Sequence, residues 1–258
     1  MSQPSNRRHI LGLLAGLPLL WVAPARAKAT RIGRLIEEAH ALPHVSQRID
    51  FISRSLIGTR YQADTLIGGP GKPEQFVVRD DAFDCVTFCE VVLAAAIVPR
   101  PEEFEPALRR IRYDHGHVQW DQRNHYFADW CRRNIESGIC VPVAMQPSVA
   151  IDKTVSSQHG LGQRRVSMTT VPTAAFLQQA HLLAPGDIVG FTSRRSNLDY
   201  FHTGLIAFGK DHSLLLRHAS QSRGGVIDER MTAFVAVNRV KSITVLRAAD
   251  NAPIAEGH

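Results

Sequence analysis

Residues 30–57 repeat apolar side chains at intervals of three and four, in the runs "RIGRLIEEAHAL" and "VSQRIDFISRSLIG" parted near Pro43. That period lays the apolar positions along one helical face. Two amphipathic helices are expected, the second stopped at Gly58 in "GTRY". A polar loop rich in Gly and Pro follows, and "QFVV" at Gln75 to Val78 reads as a short strand. The next run, "CVTFCEVVLAAAIV", is apolar nearly all round. It predicts a central, buried helix, capped by Asp81 or Asp84 and ended by Pro99 and Pro101. It is too short to span a bilayer.

Glu103 to Arg112 and "ADWCRRNIESGI" are two further helical stretches, the latter stopped at Gly138. Between them "YDHGHVQWDQRNHYF" is irregular and rich in His and aromatic residues. From Val141 onward the period changes to that of strands: "SVAIDKTV", "RRVSMTT", "DIVGFTS", "YFHTGLIAF", "SLLLRHAS" and "SITVLRA". One helix from Pro172, "PTAAFLQQAHLL", interrupts them. Helices first and mostly antiparallel strands afterwards predict an α+β domain, with the buried helix packed on the sheet.

The N-terminus adds an address. Arg7 and Arg8 precede an apolar run from Ile10 to Val22, and Ala25-Arg26-Ala27 is a cleavage pattern. Residues 1–27 therefore read as an export signal, leaving 28–258 as one domain and a periplasmic destination. The Arg pair resembles a twin-arginine signal without its usual following Lys; a membrane anchor is the alternative. Losing Arg7, Arg8 and Arg26 reduces a formal charge of +6 to a mildly basic balance. No basic cluster with interleaved aromatics points to nucleic acid.

Four cysteines in an exported chain invite disulfides. Cys131 and Cys140 are a plausible pair. Cys85 and Cys89 lie one turn apart on a helix, where a bridge would be strained. His115, His117 and His125 lack the ligand set of a zinc site, so no metal is expected.

The chemistry is carried by Cys85 and two histidines. "FHTGLIAF" and "SLLLRHAS" flank the turn signal "GKDH", predicting a hairpin centred on Lys210 whose paired numbers sum to about 420. That register sets His202 opposite His218 on one face. Cys85 opens the buried helix, where unpaired N–H groups favour an anion and would supply part of an oxyanion hole. A thiol there beside a His is expected to have its pKa lowered to roughly 3.5–7.5. Cys85 becomes the candidate nucleophile, His202 the base, His218 the group that orients it, and Cys89 a core residue.

These residues carry a resemblance. Asp84-Cys85, "PGDIVGF" and "HTGLIAFGKDHSLLLRHAS" resemble the NlpC-type, papain-like cell-wall hydrolases. The ordered set "GTRY", "FDCVTFCE", "IRYDHG", "RNHYFADW", "APGDIV" and "HTGLI…LRHAS" more closely resembles a bacterial family of NlpC-like N-acetylmuramoyl-L-alanine amidases. It covers nearly the whole mature chain. Val86-Thr87 after the Cys departs from the Cys-Ser-Gly common among the endopeptidases, and Arg60 stands where relatives more often have Pro.

The resemblance implies a papain-like fold and a cofactor-free cysteine amidase that cuts between N-acetylmuramic acid and L-Ala in peptidoglycan or muropeptides. It also implies that Tyr61 and Thr87 line the cleft, and that Trp120, His125 and Tyr126 contact sugar or peptide. A stem-peptide endopeptidase, a thiol acyltransferase or thioesterase, and a non-catalytic peptidoglycan-binding module are the alternatives.

Overall fold

The computed structural model describes residues 30–156 and 162–252. The expected export segment, 1–27, lies outside them. Helices α1 (Arg31–Ala39) and α2 (Val45–Ser55) open the described chain. Four short strands follow: β1 (Arg60–Tyr61), β2 (Ile67–Gly69), β3 (Lys72–Gln75) and β4 (Ala82–Phe83). The strand expected at Gln75 to Val78 is displaced toward the N-terminus. β3 pairs with β2 and ends at Gln75. Phe76 instead packs its ring near Tyr113 and beneath the Arg109 guanidinium, 4.6 Å from the ring centroid.

Next come α3 (Cys85–Ile97), α4 (Phe104–Arg112) and α5 (Phe127–Glu136). The second half holds β5 (Cys140–Pro142), β6 (Val149–Val155), β7 (Arg164–Pro172), α6 (Thr173–Gln178), β8 (Ile188–Thr192) and β9 (Tyr200–Phe208). It closes with β10 (Leu214–Ser220), β11 (Gly225–Arg230), α7 (Met231–Val237) and β12 (Ser242–Ala248). The helix expected from Pro172 is shorter: β7 runs through Pro172, and a 3-10 turn at Ala180–Leu182 follows α6.

One sheet runs in the order β4-β1-β11-β10-β9-β8-β12-β7-β6, with β5 added beside β12. β1 and β4 pair in parallel, and the other pairings are antiparallel. The central strands of the sheet are buried on both faces, which explains why they read as continuous apolar runs. Ile188, Leu205 and Leu246 join the core built with α1 to α5. Val189, Phe191, Ile206 and Leu216 join a second core with Phe176 of α6 and Phe234 of α7. α3 is the centre of the first core; Phe88, Val92, Ala94 and Ala96 have no exposed surface. Glu90, also buried in α3, meets Arg112 of α4 at 2.7 Å, and Arg112 reaches the Val77 carbonyl at 2.7 Å. Removing one partner would strand a buried charge at a cost of about 3–5 kcal/mol.

The hairpin β9–β10 has a different register from the expected one. Leu214 faces Phe208 and Arg217 faces Leu205, so paired numbers sum to 422. The loop centres on Asp211, where Gly209 and Ser213 are joined by a backbone bond of 2.9 Å. A shift of two in the sum moves each residue's partner by two positions, so strict opposition of His202 and His218 is lost. In the observed register His202 and His218 are diagonal neighbours, two positions removed from direct opposition. The side-chain period of two still keeps them on one face.

Gly204 permits their approach. A Cβ there would lie 2.7 Å from Leu216 Cδ1, 2.9 Å from the Arg217 carbonyl oxygen and 2.9 Å from His218 Cβ. We predict that Gly204→Ala destabilises the protein by about 1–3 kcal/mol through overpacking. Denaturant unfolding measures this; an unchanged midpoint would show that β10 yields freely.

Candidate functional site

The site begins where β4 turns into α3. Asp84 is the N-cap: its Oδ1 accepts the N–H groups of Val86 (3.0 Å) and Thr87 (2.8 Å). The Thr87 hydroxyl oxygen accepts the Asp84 N–H at 3.0 Å, closing a reciprocal cap. Asp81, the other capping candidate, is turned to Arg79 instead. Thr87 is 5% exposed. Its expected place in the cleft lining is corrected: its side chain holds the helix start together.

Cys85 stands at the first helical position and is partly exposed. Its thiol is pushed up to about 12 by burial first and then by the Asp84 charge; N–H groups of Thr203, Cys85 and Val86 oppose the rise. The expected low thiol pKa is thus overturned. The helix N-terminus does favour an anion, but Asp84 already occupies that position and repels a second negative charge. Cys89, one turn deeper, is fully buried and lies 3.9 Å from the Thr203 hydroxyl.

β9 brings the histidines to this point. Ile206 exchanges backbone bonds with Gly186 and Asp187 on the β8 side. Alternation along the strand therefore turns the Thr203 N–H toward β10. Ladder pairing with β10 ends at Leu205–Arg217, and the Thr203 N–H meets the Cys85 sulfur. The peptide N–H between His202 and Thr203 thus acts on the candidate nucleophile, favouring its charged form against burial. A bulge adjoins it: Phe191 faces His202 but Thr192 faces Tyr200, leaving Phe201 as the extra residue. Phe201 and His202 consequently both lie against the Phe234 ring, at centroid separations of 6.3 and 5.4 Å.

His202 Nε2 and His218 Nδ1 are 2.6 Å apart, with their rings edge to face. Burial, then the His218 charge, pulls the His202 pKa down to about 3. Burial also lowers His218, against the raising effect of Glu229. Both imidazoles are therefore neutral at pH 7, so one ring donates and the other accepts. His218 Nε2 lies 2.9 Å from Glu229 Oε1, off the line of a well-formed hydrogen bond. Sequence reasoning missed Glu229. It lies on β11, facing Leu216 and diagonal to His218; the alternation in "GVIDER" is the signal that could have found it.

Tyr61 is brought to the same place because β1 lies between β4 and β11. Its phenol pKa is raised by burial and then by the charges of Cys85 and Asp84, so it remains a donor. Arg60 pairs in register with Gly225 and Ala82, and its Nη2 is 3.5 Å from Asp81. The other expected substrate residues are held differently. His125 Nε2 is 2.6 Å from the Trp120 carbonyl oxygen, and the two rings pack edge on at 4.8 Å. Tyr126 is 3% exposed and its hydroxyl donates to the Ser156 carbonyl at 2.6 Å. Its expected substrate contact is corrected to an internal one.

Asp199 is buried and accepts the Ala128 N–H at 2.8 Å, capping α5. Cys131 and Cys140 are buried free thiols, not a disulfide. Among the described residues no group of three or more His, Cys, Asp or Glu is placed to hold a metal. A cavity of about 580 Å3 opens elsewhere, between α5 and β12, lined by residues including Ile135, Met145, Val171 and Tyr200. Its wall contains no histidine and its thiol, Cys131, is pushed well up by burial. The volume and the reactive chemistry therefore lie in different places.

Residues 51–243 match a family model described as AmiA-like, N-acetylmuramoyl-L-alanine amidase-like. An N-acetylmuramoyl-L-alanine amidase from Bacteroides uniformis has a similar structure, with a TM-score of 0.68 and 24% identity over 85% of this chain and all of that one. A Legionella pneumophila protein of the family DUF1460 is similar at a TM-score of 0.75 and 20% identity, over 88% of this chain and 96% of its own. No curated protein matches in sequence. At these identities the solved structures speak for the fold.

The role given to Asp84 is testable. Asn is also a good cap, so Asp84→Asn should keep the helix start while removing the charge that raises the Cys85 pKa. At about pH 8 a fall of one pKa unit gives up to tenfold more thiolate. Iodoacetamide should label Cys85 several-fold faster in Asp84→Asn than in wild type; equal rates would contradict the repulsion.

Proposed function

The chain belongs to the AmiA-like, N-acetylmuramoyl-L-alanine amidase-like family, and from that membership we propose that it is an exported, cysteine-dependent amidase of the NlpC-like, papain-related type. Its substrate is the amide between N-acetylmuramic acid and L-Ala in peptidoglycan or its fragments. The observation that carries this reading is the buried His202–His218 pair, 2.6 Å apart, beside the strand peptide whose N–H acts on the Cys85 sulfur.

The resting pair is a neutral thiol and a neutral imidazole. His202 Nε2 donates to His218 Nδ1, leaving His202 Nδ1 to take the thiol proton as the sulfur attacks the lactyl carbonyl carbon. Proton transfer is thus concerted with attack, as general base catalysis allows. The carbonyl oxygen becomes negative, and the Tyr61 hydroxyl and Cys85 N–H are the donors proposed for it. Val86 and Thr87 N–H are not used, since Asp84 holds them. The C–N bond breaks as His202 returns its proton to the leaving amine of L-Ala. Water, losing a proton to His202, then cleaves the thioester and releases the muramic acid carboxyl group and the free thiol.

Residues 1–27 carry the proposed export signal, and 28–258 the proposed mature domain. The periplasm is where an intact wall would be met, whether the signal uses the twin-arginine route or another. The fold on which this rests is mixed α+β with a mostly antiparallel sheet; its papain-like kinship belongs to the proposal.

Mass spectrometry of a defined muropeptide after incubation with mature protein tests the reading. Release of the sugar acid and an intact stem peptide is expected, abolished in Cys85→Ser and retained in Cys89→Ser. Cleavage within the stem would assign an endopeptidase instead. The acid limb of kcat/KM is expected below the ordinary imidazole value of about 6.5, because a lowered His202 pKa keeps the base unprotonated as pH falls. A limb at or above that value would contradict the buried neutral pair.

A further inference from the structure

His218 raises a question that the thiol and the two imidazoles leave unanswered. It is 2% exposed, its Nδ1 is taken by His202, and its Nε2 is buried. If His202 is to accept the thiol proton at Nδ1, its Nε2 must carry a hydrogen and His218 Nδ1 must be the acceptor. His218 is then protonated at Nε2, and that N–H needs an acceptor inside the protein. The acceptor within reach is Glu229 Oε1 at 2.9 Å. We propose that Glu229 is a positioning residue: its carboxylate selects the His218 tautomer, and through it the His202 tautomer, that leaves Nδ1 free for Cys85.

The surroundings support the choice. From β9, His202 faces His218. From β11, Glu229 and Asp228 act on it electrostatically, but Asp228 is engaged by Arg217 through bonds of 2.7 and 2.8 Å. From α7 the neighbour is the apolar Phe234 ring, 5.6 Å away, and "MTAFVAV" contains no charged side chain. α3 brings Cys85, and β1 brings Tyr61. Glu229 is therefore the carboxylate left to accept from His218. Its side chain is 30% exposed, so water moderates its charge. The off-line contact in the resting protein shortens the choice of motion to a small one: a rotation of the Glu229 carboxylate aligns it as positive charge develops on the imidazoles.

The same placement predicts a pH signature. Glu229 raises the His218 pKa, opposing burial. Removing its charge must lower the pKa of the coupled imidazoles. The base then stays unprotonated to a lower pH, and the acid limb moves down.

The proposal rests on the thiol and imidazole reading above but not on the identity of the substrate. The test is the pH dependence of iodoacetamide labelling at Cys85, followed by peptide mass spectrometry, in wild type, Glu229→Gln and Glu229→Ala. Hydrolysis of a muropeptide is measured in parallel. Glu229→Gln keeps an acceptor oxygen without charge; Glu229→Ala keeps neither. We expect the acid limb of labelling to fall by about one pH unit in Glu229→Gln. kcat should fall roughly tenfold in Glu229→Gln and a further tenfold in Glu229→Ala, with KM unchanged and Glu229→Gln melting as wild type.

An unmoved acid limb in a folded Glu229→Gln variant would overturn the positioning role. So would a Glu229→Ala variant with wild-type kcat. A shifted labelling limb with no muropeptide cleavage by wild type would uphold the relay and overturn the amidase reading alone.

Discussion

The contact between the start of α3 and the middle of β9 is the constraint on which the site depends. Thr203 makes it twice over. Its N–H meets the Cys85 sulfur, and its hydroxyl lies 3.9 Å from Cys89 while donating to the Val189 carbonyl at 2.8 Å. A helix apolar nearly all round, its one charge Glu90 paired with Arg112, can be pressed this deeply into a sheet because it has no polar face to keep wet. Once α3 is seated, the rise of one residue per 1.5 Å fixes Cys85 at the end of the sheet contact and Cys89 within it. Two cysteines of the same chemistry thereby acquire different fates: one at an edge where a carbonyl can arrive, one sealed in the core.

That seating has an electrostatic consequence. A helix start offers N–H groups to an anion, and two anions compete for them here. Asp84 wins, because its side chain reaches Val86 and Thr87 without strain and its hydrogen bonds cost no burial of a bare sulfur. The thiol is left neutral, and in the proposed mechanism the work of ionising it passes to the imidazole pair. The depressed basicity of His202 means that little is gained by separating charge before a substrate arrives. Charge separation is then favoured only while the oxyanion forms, which is when interactions accelerate a reaction.

Much of this was legible in the chain because it follows from period and end signals. The apolar run from Cys85 to Val98 had to be buried, and Asp84 or Asp81 had to begin it. The strand pattern around His202 and His218 put both on one face even though the expected hairpin centre was wrong by one residue. Since side chains alternate with period two, a shift of two in the paired sum preserves the face when it changes the partner. The turn length is the weak step: "GKDH" predicts a centre at Lys210, whereas Ser213 bonds to Asp211 and the loop centres one residue later.

What escaped the sequence were contacts whose partners are far apart in it. β1 and β4 are two residues each, too short for any periodicity, yet they place Tyr61 beside Cys85. β11 alternates weakly in a charged stretch, so its period does not single out Glu229. Thr87, which the resemblance places in the cleft lining, is instead buried by the helix start that its hydroxyl closes. The low thiol pKa failed for the same reason, since it counted the helix and not the neighbour that had already claimed its end.

The central claim is that Cys85 carries the acyl group. Intact-protein mass spectrometry after acid quench of wild-type protein mixed with a defined muropeptide tests it most directly, with peptide mapping of any adduct. The account predicts a transient mass increase equal to the N-acetylmuramoyl portion, mapped to the peptide containing Cys85 and absent from Cys85→Ala. Hydrolysis proceeding in Cys85→Ala without an adduct would contradict it.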